Sequence, residues 1–150
     1  MKLCVLAVDY DGTIAINDRL DPSVAAAIGA LRGRGVKVLL VTGRILSELQ
    51  RVAHDLRFVD AVVAENGAVA YFPESGHRTV LAPPVSQALA ARLAALDIEF
   101  QAGECLIDAH ADSAPGMLDA IRALELPVVL AFNRNRVMAM PQGVSKATGL

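Results

Sequence analysis

The sequence predicts an α/β fold in which a doubly wound parallel sheet carries a small α+β insertion. Three observations lead there. Short apolar runs at residues 3–8, 36–41 and 61–64 each end on a polar residue, as strands buried on both faces of a parallel sheet do. Helix-type segments separate them, so strand, helix, strand, helix, strand alternate. Beyond residue 83 the spacing changes, and residues 85–110 can be laid over residues 115–140 at an offset of 30.

The elements follow in order. Residues 3–8 form a first strand with Asp9 at its carboxyl end. Asp21-Pro22 is an N-cap followed by a proline in the first turn, and the alanine-rich helix runs to Arg32, before Gly33 and Gly35. Residues 36–41 are a second strand, with Thr42-Gly43-Arg44 just beyond it. A helix over about residues 46–56 precedes a third strand at 61–64. Residues 69–81 read as a hairpin turning at Pro73-Glu74-Ser75-Gly76, and Pro83-Pro84 marks a boundary. In the repeat, Ala90, Arg92 and Leu96 meet Ala120, Arg122 and Leu126. Two helix-strand-strand units (αββαββ) make a four-stranded sheet with both helices on one face. Gly143 to Leu150 begins another helix with Ser145 as N-cap. The expected division is a core over 1–82, an inserted lid over 83–140 and a return to the core over 141–150.

At 150 residues the chain has the size of one domain or of a core with a small insertion. Hydrophobic residues make up 54%, yet no uncharged run reaches 18 residues, so no transmembrane helix is expected. The apolar start meets Asp9 too soon for a signal peptide, and the expected location is the cytoplasm. Cys4 and Cys105 lack metal-site or disulfide-framework spacing and read as buried free thiols. A net charge of -2 with interspersed signs offers no basic stripe for nucleic acid, which leaves small molecules as partners.

In folds of this class ligands collect at the carboxyl ends of strands, and Asp9, Thr42 and Glu65-Asn66-Gly67 all fall at such ends. An aspartate can accept a phosphoryl group once a divalent cation and positive groups neutralise the phosphate charge. A second carboxylic acid two residues on can protonate the leaving alcohol and later activate water. Asp9 and Asp11 have the types and spacing for those roles. Gly12 lets the chain turn beside a ligand, and Thr13 can hydrogen-bond within the turn.

At these residues the sequence resembles the haloacid-dehalogenase-like phosphatases, in particular the Cof-type branch with an α/β cap after the third core strand. The DxDGT motif corresponds to Asp9 to Thr13, the second motif to Thr42 within Thr42-Gly43-Arg44, and the ENGA segment to Glu65-Asn66-Gly67-Ala68. The lysine of the third motif corresponds to Lys146 within Gly143 to Leu150. The resemblance implies a Rossmann-like core, here incomplete, and a magnesium-dependent phosphatase working through an aspartyl-phosphate. It makes Asp9 the nucleophile, Asp11 the general acid and base, and Thr42 with the Gly43 backbone a phosphate cradle. Lys146 then offsets charge, and Mg²⁺ sits on the Asp9 carboxylate and the Asp11 carbonyl. Arg44 and Asn66 face the same crevice as phosphate-binding candidates with Gly12 and Thr13, or are a surface arginine and a turn asparagine.

One family motif is missing. The acidic pair of the form GDxxND that completes the magnesium shell does not occur. The strand that carries it normally covers the first strand, so residues 3–8 are expected to form an exposed apolar edge, completed by a missing C-terminal segment or by a second copy. Asp108, His110 and Asp112 alternate in a metal-like way, but a strand with one polar face explains them better. His54 and His77 read as surface groups. Asn133-Arg134-Asn135-Arg136 reads as a hairpin turn or as a substrate-reading loop. The expected substrate is a small phosphorylated metabolite such as a sugar phosphate. The rival readings are a phosphomutase, a non-catalytic phosphate-binding module and an inactive fragment of a longer phosphatase.

Overall fold

A computed structural model describes residues 4–150; Leu3, at the start of the first expected strand, lies outside the described residues. The chain divides into two compact units, Met1–Leu81 with Ser145–Leu150, and Ala82–Val144. Among the described residues no helix is long and apolar enough to cross a membrane.

The first unit is built on strands β1 (Val5–Asp9), β4 (Lys37–Val41), β5 (Ala61–Ala64), β6 (Val69–Phe72) and β7 (His77–Val80), in the order β1-β4-β5-β6-β7. The first three are parallel, and β6 and β7 form the antiparallel hairpin expected from residues 69–81. Helix α1 (Pro22–Gly33) joins β1 to β4, and α2 (Leu46–Ala53) joins β4 to β5. Asp21 caps α1 by accepting the Ser23 N–H at 2.7 Å. Helix α2 ends three residues before the expected position, because His54 takes φ +57° and Asp55 accepts the Arg57 N–H, a local turn that competes with helix. Between β1 and α1 lies a hairpin of two short strands, β2 (Ala15–Ile16) and β3 (Arg19–Leu20), turning through Asn17 and Asp18 at positive φ.

Strand β5 is buried along its whole length, as expected. Strand β1 differs from expectation: it forms, but Val5 and Ala7 are exposed, Val5 at 52%. The reason is positional. The crossovers β1-α1-β4 and β4-α2-β5 step the same way, and right-handed connections in one direction lay both helices against one face. Strand β1 is also the edge of the described sheet.

At the amino ends of the parallel strands, Asp60 gathers Arg32 (Nε 3.1 Å), Lys37 (Nζ 3.1 Å) and the Val38 N–H (2.9 Å). Burial opposes its ionisation, but the Val38 N–H, Lys37 and Arg32 outweigh burial and hold the carboxyl below its usual range.

The second unit contains α3 (Gln87–Ala95), β8 (Phe100–Ala102), β9 (Ile107–His110), α4 (Ala114–Ala123), β10 (Val128–Asn133) and β11 (Arg136–Pro141). Its antiparallel sheet runs β10-β11-β9-β8. Leu89 and Leu93 of α3 and Met117 and Ile121 of α4 share one core with Ile107, Ala109, Val137 and Ala139. These strand residues are two apart, so both helices lie on one face of the sheet. Asp108 points to the other face and pairs with Arg136, Nη2 to Oδ2 at 2.7 Å, which accounts for its place in the metal-like alternation. Asn133 to Arg136 make the β10–β11 hairpin turn, with Arg134 at φ +52°.

Residues 145–149 form one turn, closed by the four-residue bond from Gly149 N–H to Ser145 O (3.3 Å). Ser145 still caps it, Oγ accepting from Thr148 N–H while Ser145 N–H donates to Thr148 Oγ1.

Two stability predictions follow from these contacts. Asp60→Asn should cost about 1–3 kcal/mol in urea unfolding at pH 7, because it weakens three donors' bonds at once. The depressed folded pKa means that this contribution is present above the unfolded value and lost as pH falls through the folded one. The gap to wild type should therefore close below about pH 4. Leu93→Ala, at a site with no exposed surface, should cost about 2–5 kcal/mol by the same measurement.

Candidate active site

The parallel register puts Asp9 opposite Val41, so Thr42 begins where β1 ends. Beyond Asp9 the chain winds around one carbonyl, Tyr10 O, which accepts the N–H groups of Thr13 (3.4 Å), Ile14 (3.1 Å) and Ala15 (3.0 Å). Gly12 sits at φ +72°, a conformation that glycine adopts without steric cost. The Tyr10 side chain is fully buried and anchors the loop, its hydroxyl donating to Asp18 O at 3.3 Å. Burial raises the Tyr10 pKa, with Arg44 pulling the other way.

Asp9 and Lys146 meet although 137 residues separate them, Nζ to Oδ1 at 2.7 Å, both side chains about 40% exposed. Asp11 is held by Arg44 through two bonds, Nε to Oδ2 at 2.8 Å and Nη2 to Oδ1 at 2.6 Å. The same guanidinium pairs with Asp18 and with Glu48 (3.3 Å) and lies 5.6 Å from the centre of the Tyr10 ring. Asp11, against the opposing effect of burial and with help from Asp18, raises the Arg44 pKa far above the range of any assay, so Arg44 is a permanent cation.

Thr42 is buried, and its Oγ1 accepts the Arg44 N–H at 3.1 Å, which leaves the hydroxyl hydrogen to donate. Its carbonyl accepts the Asn66 N–H at 3.1 Å. A Cβ on Gly43 would lie 3.0 Å from Asn66 Oδ1, so a larger residue there would make the Asn66 side chain give by a few tenths of an ångström. Glu65, Asn66 and Gly67 all take positive φ, a sharp strand-end turn. The structure thus brings Asp9, Asp11, Thr42, Gly43, Arg44, Asn66 and Lys146 to the carboxyl ends of β1, β4 and β5. The Thr13 hydroxyl is exposed and makes no hydrogen bond among the described residues.

A hard cation needs oxygen ligands, and Mg²⁺ accepts one or two carboxylates while keeping most of its waters. Asp9 Oδ2 makes no hydrogen bond among the described residues, whereas both Asp11 oxygens are engaged by Arg44. No group of three His, Cys, Asp or Glu side chains able to hold a metal occurs among them. The donor set fits Mg²⁺ on one carboxylate oxygen and the backbone.

A sequence model of the haloacid dehalogenase-like hydrolases matches residues 6–117. The chain belongs to this family. Over 70 residues it is 37% identical to a Bacillus subtilis (strain 168) protein named "Putative phosphatase YxeH"; that stretch is 43% of this chain and 26% of the relative, so the match spans about a quarter of that protein's length. A haloacid dehalogenase-like hydrolase from Bacteroides thetaiotaomicron has the same fold, with a TM-score of 0.77 at 12% identity over 99% of this chain and 74% of that one. The sugar phosphatase BT4131, of HAD subclass IIB, gives a TM-score of 0.67 at 15% identity over 97% and 73%. Two partners of Arg44, Asp18 and Glu48, lie outside the family's motifs and escape sequence reasoning. Asp18 carried one signal, since the pair Asn17-Asp18 suits the two central positions of a hairpin turn. Glu48 carried another, four residues after Arg44 on the rim of α2.

Arg44→Ala leaves Asp11, Asp18 and Glu48 facing one another without their shared cation. It should destabilise the protein by about 1–3 kcal/mol in urea unfolding at low salt. Arg44→Lys should restore less than half of the loss, because an ammonium cannot make the two-bond fork to Asp11.

Proposed function

We propose that this chain is the nucleophile-bearing part of a Mg²⁺-dependent phosphomonoester hydrolase acting on a small phosphorylated metabolite in the cytoplasm. The observation that carries the reading is the placement of the Asp9 carboxylate at a strand end, one oxygen on Lys146 and the other open. In the proposed cycle one oxygen of the Asp9 carboxylate attacks phosphorus, the other being left for the cation, and the bond from phosphorus to the substrate oxygen breaks. The departing oxygen takes its proton from the Asp11 carboxyl, which requires Arg44 to release at least one of the two oxygens it holds. Asp11 then removes a proton from water, whose oxygen attacks phosphorus and frees Asp9 and inorganic phosphate. Thr42 Oγ1 and the backbone at Gly43 donate to phosphate oxygens, with Gly12, Thr13, Arg44 and Asn66 lining the approach, and Lys146 steadies the charge on Asp9 and the phosphoryl group.

Electrostatics favour a metal in this reading. Four carboxylates, Asp9, Asp11, Asp18 and Glu48, face two cations, Lys146 and Arg44, so an incoming phosphate dianion meets net negative charge. Mg²⁺ held by the Asp9 carboxylate would supply that missing positive charge. A sugar phosphate fits as substrate, the class named for BT4131.

The test is release of phosphate from p-nitrophenyl phosphate. Turnover should require Mg²⁺, stop with EDTA, and fall about 10⁴-fold or more in Asp9→Asn. Binding of phosphate without turnover would favour a non-catalytic module, and turnover that survives Asp9→Asn would remove the nucleophile assignment.

A further inference from the structure

We infer that a backbone contact between Gly67 and the 145–149 turn holds Lys146 on Asp9, which makes Gly67 and Gly149 positioning residues for the site. The kinetic part of this inference rests on the proposed phosphatase activity; the geometric part does not.

The contact is closer than any side chain allows. A Cβ on Gly67 would lie 2.0 Å from Ser145 O and 2.8 Å from Ser145 C. A Cβ on Gly149 would lie 2.6 Å from Gly67 Cα and 2.7 Å from both Gly67 O and Val63 Cγ1. Backbone atoms cannot yield as the tip of a flexible side chain does. The need is local, since a Cβ on Gly29, Gly33, Gly35, Gly76 or Gly143 would meet nothing within 4 Å.

Displacing Ser145 O moves more than one atom. It accepts the N–H groups of Thr148 (3.0 Å) and Gly149 (3.3 Å), so the turn shifts as a unit. Lys146 follows Ser145 directly, and its ammonium makes one hydrogen bond among the described residues, the 2.7 Å bond to Asp9. With no other bond to hold it, the lysine goes where the turn goes. On the other side of the contact, Gly67 follows Asn66, whose N–H is fixed on Thr42 O. One loop therefore locates both the phosphate-cradle side and the lysine side of the site.

Gly149 gives the cleaner variant. Its φ is not positive, so alanine there suffers crowding without backbone strain, whereas Gly67 at φ +107° would suffer both. We expect Gly149→Ala to lower kcat about 100-fold with KM nearly unchanged, as a shift on the order of 1 Å does. The decisive comparison is the double variant. If Gly149 acts through Lys146, Gly149→Ala/Lys146→Ala is no slower than Lys146→Ala alone, whereas a general structural defect multiplies the two losses. Thr148→Val, at an exposed position, loosens the turn without crowding and should give the same pattern at about 3–10-fold. Gly29→Ala should leave turnover unchanged.

A second readout needs no activity. The chain has three lysines, Lys2, Lys37 and Lys146, so ¹³C-dimethylated protein gives few signals, and Lys146 is assigned by its loss in Lys146→Ala. Its resonance should move on Asp9→Asn in the wild-type background and stay still in the Gly149→Ala background. A folded Gly149→Ala protein whose Lys146 signal still responds to Asp9→Asn overturns the inference, as does a multiplied loss in the double variant. Absence of turnover in wild type would sink the phosphatase reading alone, with the resonance experiment still deciding the contact.

Discussion

The site depends first on the in-register parallel pairing of β1 with β4. Five consecutive residue pairs, from Val5 with Lys37 to Asp9 with Val41, end the two strands at the same level. Alternation leaves no tolerance in that register: a slip of one residue would turn Asp9 to the opposite face and bury what is now exposed. With the register set, Thr42 starts beside Asp9, and Arg44, two residues further, reaches back to Asp11. The strand ends thus convert three distant segments of sequence into one cluster of charge.

That cluster is unevenly held. Arg44 is fixed on four sides, by Asp11, Asp18, Glu48 and the Tyr10 ring, and the buried Tyr10 side chain fixes the loop beneath it. Its position is therefore over-determined and resists the loss of any one partner. Lys146 is the opposite case, a half-exposed chain with a single hydrogen-bonding partner. The two cations differ accordingly: one belongs to a rigid frame, and the other is located through the backbone of a distant turn.

Much of this was legible in the sequence, and the exceptions share a cause. Short apolar runs bounded by polar strand ends located β1, β4 and β5, and the 30-residue repeat gave the second unit its two helices and four strands, because periodicity and turn residues are local signals. That β1 is an edge strand was legible from the missing motif; that its Val5 and Ala7 face is uncovered was not, since exposure of a face is set by what packs on it. The end of α2 was missed where a side chain competes locally, through Asp55. The fork from Arg44 to Asp11, 33 residues apart, leaves no trace in local pattern at all.

The Asp9–Lys146 pair has to be judged against what it can do for stability. An ion pair this exposed contributes at most about 1 kcal/mol, often less, since water screens it and a long lysine chain must be ordered to make it. Such a bond cannot by itself bring together groups 137 residues apart, because closing a loop of that length costs more. Other contacts must carry the closure, and the close backbone approach of Gly149 to Gly67 and Val63 is one of them. The lysine adds little to stability, and its turn meets Gly67 at backbone distance; the proposed role of its charge beside Asp9 draws its support from that.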